Sequence, residues 1–147
     1  MRWLFILSAL LAGAFVPMQA GLNSQLARNL GHPILASFVS FVVGMVALLL
    51  CLLVLRVPLP SASMVAQTPW YLWIGGLLGA FLVSATIIVA PVLGAATMIG
   101  LVITGQMLTS LFLDQFGFAS YPVHPINFWR GVGAILLIFG VVLIQRN

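Results

Sequence analysis

Charge is what this sequence has least of. Among 147 residues there is no lysine and no glutamate, and the charged side chains are Arg2, Arg28, Arg56, Asp114, Arg130 and Arg146. They make up 4% of the chain, while 63% is hydrophobic; a soluble domain carries roughly 25% charged residues. So little polar surface cannot coat a globule in water, and the solvent must be a lipid bilayer. The net charge of +4 comes from arginines scattered singly. Nucleic-acid binding needs clustered positive charge and is excluded. Cysteine is scarcer still: Cys51 stands alone in an apolar run, can form no internal disulfide, and reads as a small packing residue. There is no Cys/His cluster, no phosphate-cradling glycine loop and no nucleophile beside a base, so neither an enzyme nor a metal or cofactor is expected.

What fills the gaps between the arginines is apolar sequence of membrane length. It gives an all-α polytopic protein, a single five-helix transmembrane domain over residues 1–147 with spans at about 3–27, 34–55, 70–90, 93–113 and 128–144. The segment Met1 to Ala20 imitates a signal peptide, but position 18 is methionine where a small residue is wanted, and the apolar pattern runs on beyond it. It is read as part of the first span. "GHP" closes that span, "RVPLPS" the second and "APVLG" the third, while Pro122 and Pro125 forbid a continuous helix before the fifth. Trp3, Trp70, Tyr71, Trp73 and Trp129 fall near span ends on the N-terminal side, as an interfacial aromatic belt requires.

Five spans put the termini on opposite sides. Arg2, Arg56 and Arg130 then share the N-terminal side, and Arg28 and Arg146 the other. That balance leans toward a cytoplasmic N-terminus and leaves insertion in both orientations physically open. His32 and His124 lie on opposite faces, each beside a proline in a loop, and read as loop histidines. Ala36, Ser40 and Gly44 on the second span, Gly76, Ala80 and Ser84 on the third, and Ala96, Gly100 and Thr104 on the fourth repeat at four-residue spacing. Small stripes of this kind let helices approach closely in lipid.

The polar residues inside the spans carry the functional question. Gln19 and Asn23, four apart, share one face of the first helix behind Pro17, which frees the carbonyl of Gly13. Two readings stand: the amides bond to neighbouring helices or far headgroups, or they line a solvated cavity. Gln106, Ser110 and Asp114 form one polar stripe on the fourth helix. Asp114 is the only carboxylate, so any proton step using an acid must use it. Its alternative is structural, as a solvated helix end or the partner of Arg130. Gln106 lies about 12 Å deeper by helix rise.

Three ordered blocks resemble a known family. "PMQAGLNSQLARNLGHPILASFVSFVVG", "WYLWIGGLLGAFLVSATIIVAPVLGAATMIGLVITGQMLTSLFLDQFG" and "PVHPINFWRGVGAILLIFGVVLI" are similar to the conserved blocks of the YdcZ-like inner-membrane exporters, within the drug/metabolite transporter superfamily. The resemblance implies a bacterial inner-membrane protein equivalent to half of the superfamily's ten-helix fold, in which two inverted halves surround a cavity. The near-balanced arginines fit a chain that supplies both halves itself as a homodimer, antiparallel with dual topology among the arrangements open to it, and the leading expectation is a small-molecule substrate moved by alternating access. Matched residue by residue, the pattern weights Pro17, Gly75, Gly76, Pro91 and Gly94 as helix-shaping, and Gln19, Asn23 and Gln106 as pathway, with Asp114 as a candidate gate or proton site; Ser110 joins the pathway set through its place on the Gln106 stripe. The small multidrug-resistance relatives carry a glutamate in their first helix. Here amides stand in its place, so tight binding of a drug cation is not expected, and a neutral or zwitterionic metabolite held by amide hydrogen bonds is; the substrate does not follow from the family. A non-transporting subunit that stabilises another membrane complex is the competing reading, and the small-residue stripes suit it equally.

Overall fold

The computed structural model describes residues 2–146, and among them there is no strand. The helices are α1 (Arg2–Leu30), α2 (Pro33–Val54), α3 (Ala62–Gln67), α4 (Ile74–Leu93), α5 (Ala95–Phe116) and α6 (Phe128–Arg146), with 3-10 turns at Trp70–Trp73 and Phe118–Ser120. Five segments are long and apolar enough to cross a membrane, counting Trp70–Leu93 as one. The chain divides into two compact parts, up to Val92 and from Leu93 onward.

In the first part, α1 and α2 form an antiparallel hairpin. Gly31 at φ +80° breaks the helix, and His32 caps α2 by accepting the Ile34 N–H on Nδ1 at 3.2 Å. Pro33 follows at the first helical position, where its missing N–H costs nothing. The buried residues of α1 are Ala20, Asn23, Ser24 and Ala27, all in its last third, and those of α2 are Ala36 and Ser37, near its start. Ile87 of α4 packs with Ala27 and Ala36, flanked by Leu26 and Val83. Hydrogen bonds tie the same end together. The Asn23 amide donates to Ser40 Oγ at 3.2 Å, and Ser84 Oγ donates to Ser37 Oγ at 2.9 Å. Away from that end packing fades: Arg2 to Phe15 and Phe41 to Cys51 are all exposed.

The third span does not stop at Ala90 as "APVLG" suggested. Helix α4 continues through Pro91 to Leu93, and the break comes at Gly94, whose φ of +78° an L-residue rarely adopts. A proline removes only one helical bond, and the carbonyl Pro91 frees, that of Ile87, receives the Ser24 hydroxyl from α1 at 3.3 Å. Pro17 likewise sits inside a continuous α1. The linker after α2 also holds more order than its prolines suggested. Arg56 takes a left-handed conformation at φ 52°, its N–H bonding Leu53 O at 3.2 Å and the Val57 N–H bonding Leu52 O at 3.0 Å. This is the Schellman closure of α2 with arginine where glycine is usual. Ser61 then caps α3 by accepting the Met64 N–H at 3.3 Å.

In the second part, α5 and α6 are antiparallel, since Gly100 meets Val141 at one end and Asp114 meets Arg130 at the other. A Cβ on Gly100 would lie 2.9 Å from Val141 Cγ2, so the two helices approach closely at Gly100, while Ala96 of the same stripe is exposed. Gly117 ends α5 in the left-handed region at φ +67°.

Candidate functional site

Each part carries its own cleft. The larger, of about 570 Å³, is walled by Gln19 of α1 and by α2 from Ser40 to Leu52, with Phe41, Gly44 and Met45 between. It forms because small and polar residues draw α1 and α2 together at one end only. Gln19 is exposed into this cleft and has no hydrogen-bond partner among the described residues. It lies about 13 Å along the helix from Arg28, so its amide is set well inside the hydrocarbon. Asn23 goes elsewhere: it is buried, and its amide holds Ser40. Its contribution to the cleft is therefore indirect, through the hydroxyl it fixes.

The smaller cleft, of about 270 Å³, lies between α5 and α6 and is lined by Ser110, Asp114 and Arg130, with Met107 and Leu111 on one wall and Gly133 and Ala134 on the other. Arg130 Nη2 donates to Asp114 Oδ2 at 2.7 Å, and the two side chains are 32% and 23% exposed. The second guanidinium arm donates to the His124 carbonyl at 2.6 Å, and the His124 N–H returns to the Asp114 carbonyl at 2.9 Å. Gln115 Oε1 accepts the Ile126 N–H at 2.6 Å, and Asn127 Oδ1 accepts the Arg130 N–H at 2.9 Å, capping α6. Residues 118–127 are thus fastened to the end of α5 at several points. The lone carboxylate sits inside this fastening, paired with Arg130.

Gln106 lines neither of these two clefts. It is exposed near the middle of α5, without a hydrogen-bond partner among the described residues. An amide left facing hydrocarbon costs roughly 4–8 kcal/mol. Something polar must meet it.

A model of the family described as "Putative inner membrane exporter, YdcZ" matches residues 4–143. The chain belongs to this family. The Inner membrane protein YdcZ of Escherichia coli (strain K12) is 29% identical over 136 residues, covering 92% of this chain and 91% of that protein. No solved structure matches. Family membership and five apolar helices together make this a multi-pass protein of the bacterial inner membrane, among exporters.

The residues that carried the YdcZ resemblance divide in the structure. Gly94 ends α4 with its positive φ, while Pro91 lies inside that helix. Gly75 and Gly76 are exposed, with nothing within 4 Å of where a Cβ would stand. Gln19 and Asn23 belong to the first part, and Gln106, Ser110 and Asp114 to the second. Sequence reasoning passed over two residues that matter. Ser40 appeared only as a member of a small-residue stripe, yet its hydroxyl is one of the few polar groups on the larger cleft. Ser24 gave no signal of its own. The signal lay four residues before Pro91, in a carbonyl that needs a donor.

Proposed function

We propose that this protein is a small exporter of a neutral metabolite, working by alternating access, with its pathway completed by a second copy of the chain. The observation that carries this reading is Gln106, an exposed, unpaired amide near the middle of a membrane-spanning helix. Lipid cannot satisfy it at that depth, whereas a solvated pathway or cargo can. Gln19, exposed into the larger cleft, supports the same reading from the first part of the chain. A second copy supplies what one five-helix unit lacks, the opposite wall of a conduit. Nearly balanced arginines leave that copy free to insert upside down. Ser110 joins the pathway as the next turn of the Gln106 stripe. Asp114, already paired with Arg130, acts as a gate whose ion pair opens and closes, rather than as a site for a cation.

The test compares cells producing the wild-type protein with cells producing Gln106→Leu at equal membrane abundance, by untargeted metabolite profiling of the medium. Wild type should release at least one metabolite that the variant retains, with dimer yield unchanged in both. Equal release by the two would remove Gln106 from the pathway and the reading with it. Release by neither would favour a subunit that only stabilises another complex.

A further inference from the structure

The larger cleft has a polar end and an apolar body, and that asymmetry selects a ligand. From Ser40 to Leu52 the trough runs about 18 Å along α2, walled by Phe41, Met45 and leucines. No charged side chain lines it. Hydrogen-bonding capacity is confined to one end. There Gln19 offers an amide with both donors and its acceptor unused, and Ser40 offers a hydroxyl whose oxygen already accepts from Asn23, leaving its proton to give. The trough, of about 570 Å³, is open along one side, since Phe41 to Cys51 are exposed, and it has room for an elongated small molecule.

We infer that this trough binds an uncharged amphiphile, whose neutral head, able both to donate and to accept, sits between Gln19 and Ser40 and whose apolar body lies along α2 as far as Leu52. An ionised head is rejected on physical grounds. Nothing in the trough balances a charge, and an unpaired ion at this depth costs far more than an amide hydrogen bond returns. A zwitterion is rejected for the same reason, which narrows the substrate class. A bare acyl chain is a poorer occupant, because it leaves Gln19 unpaired against hydrocarbon. The inference rests on the transport reading for its purpose but not for its chemistry, since binding is read without flux.

The experiment uses the full-length protein in nanodiscs and a diazirine-bearing decanol as photoprobe, with labelled peptides mapped by mass spectrometry. Labelling is expected within residues 40–52. Excess decanol should compete it away, and decyltrimethylammonium and decanoate should not. Gln19→Leu should lower labelling by about fivefold, the effect of losing one or two neutral hydrogen bonds. Gly44→Trp should abolish it by filling the trough; nothing lies within 4 Å of a Cβ there, so the backbone can accept the change. Circular dichroism confirms that each variant remains folded. Labelling that ignores Gln19→Leu, or that the charged analogues remove equally, would mean the trough holds any alkyl chain and would overturn the inference. So would absent labelling together with a cross-link between Met45 positions of two copies, which would show the trough filled by a second chain. Specific labelling without any metabolite release would leave this site standing and sink the transport reading; release without labelling would do the reverse.

Discussion

Removing the hydroxyl of Ser24 should cost most of its stability contribution only while residue 91 is proline. An alanine at position 91 would donate its N–H to the Ile87 carbonyl, four residues back; Pro91 cannot. Ser24 Oγ stands 3.3 Å from that carbonyl and 2.7 Å from the carbonyl of Ala20, so a single hydroxyl proton serves both. Ile87 is 2% exposed, and water cannot substitute. Interhelical hydrogen bonds in membranes average about 0.6 kcal/mol and reach about 1.7, while an orphaned buried carbonyl costs about 1–3 kcal/mol. The divided proton places the expected loss for Ser24→Ala near the low end, at about 1 kcal/mol. In a Pro91→Ala background the carbonyl is already satisfied, and the same change should cost no more than about 0.3 kcal/mol, a coupling of roughly 0.7. Reversible unfolding of the four proteins in mixed micelles of increasing SDS, followed by tryptophan fluorescence, closes the cycle. An equal penalty in both backgrounds would refute the link between the hydroxyl and the proline.

Two further outcomes follow from the second part of the chain. Gly100→Ala should destabilise by about 1–3 kcal/mol, because the new Cβ meets Val141, a stiff β-branched neighbour, at 2.9 Å. Val141→Ala should rescue it, and unfolding curves unchanged by Gly100→Ala would show that α5 and α6 do not pack this closely. Arg130→Met should shift global stability by no more than about 1 kcal/mol, since the ion pair is partly exposed. It should nevertheless speed amide exchange severalfold at His124 and Ile126, whose N–H groups bond to Asp114 and Gln115; unchanged exchange there would mean the guanidinium is not what fastens residues 118–127.

The spans were legible because their signal is local. A run of about 20 apolar residues states its own length, and the helices lie within a few residues of the expected bounds. The exception at Pro91 is instructive. Local rules end a helix there, but a proline costs only one helical bond, and the carbonyl it frees meets Ser24, 67 positions earlier in the chain, in no window of sequence that contains both. The same holds for Asn23, where spacing placed it beside Gln19 on one face of α1. A face of a helix is wide, though, and which of two neighbours turns inward depends on where α2 brings Ser40. Asp114 and Arg130 were legible as alternatives and became a pair only once α5 and α6 ran antiparallel. Nothing in the residues from Arg56 to Gln67 announces α3, because a six-residue helix is too short for periodicity and needs only the Ser61 cap.

The three hydrogen bonds that join α1, α2 and α4 all lie toward one end of the hairpin, near Gly31. A clothes-peg gripped at its spring spreads its jaws without loosening the spring. By the same leverage, a change in the spacing of the far ends of α1 and α2 would leave Asn23, Ser24 and Ser37 with their partners. Admitting a bulkier guest would then draw on side-chain contacts with lipid, which exchange freely, rather than on polar bonds that must be broken and remade.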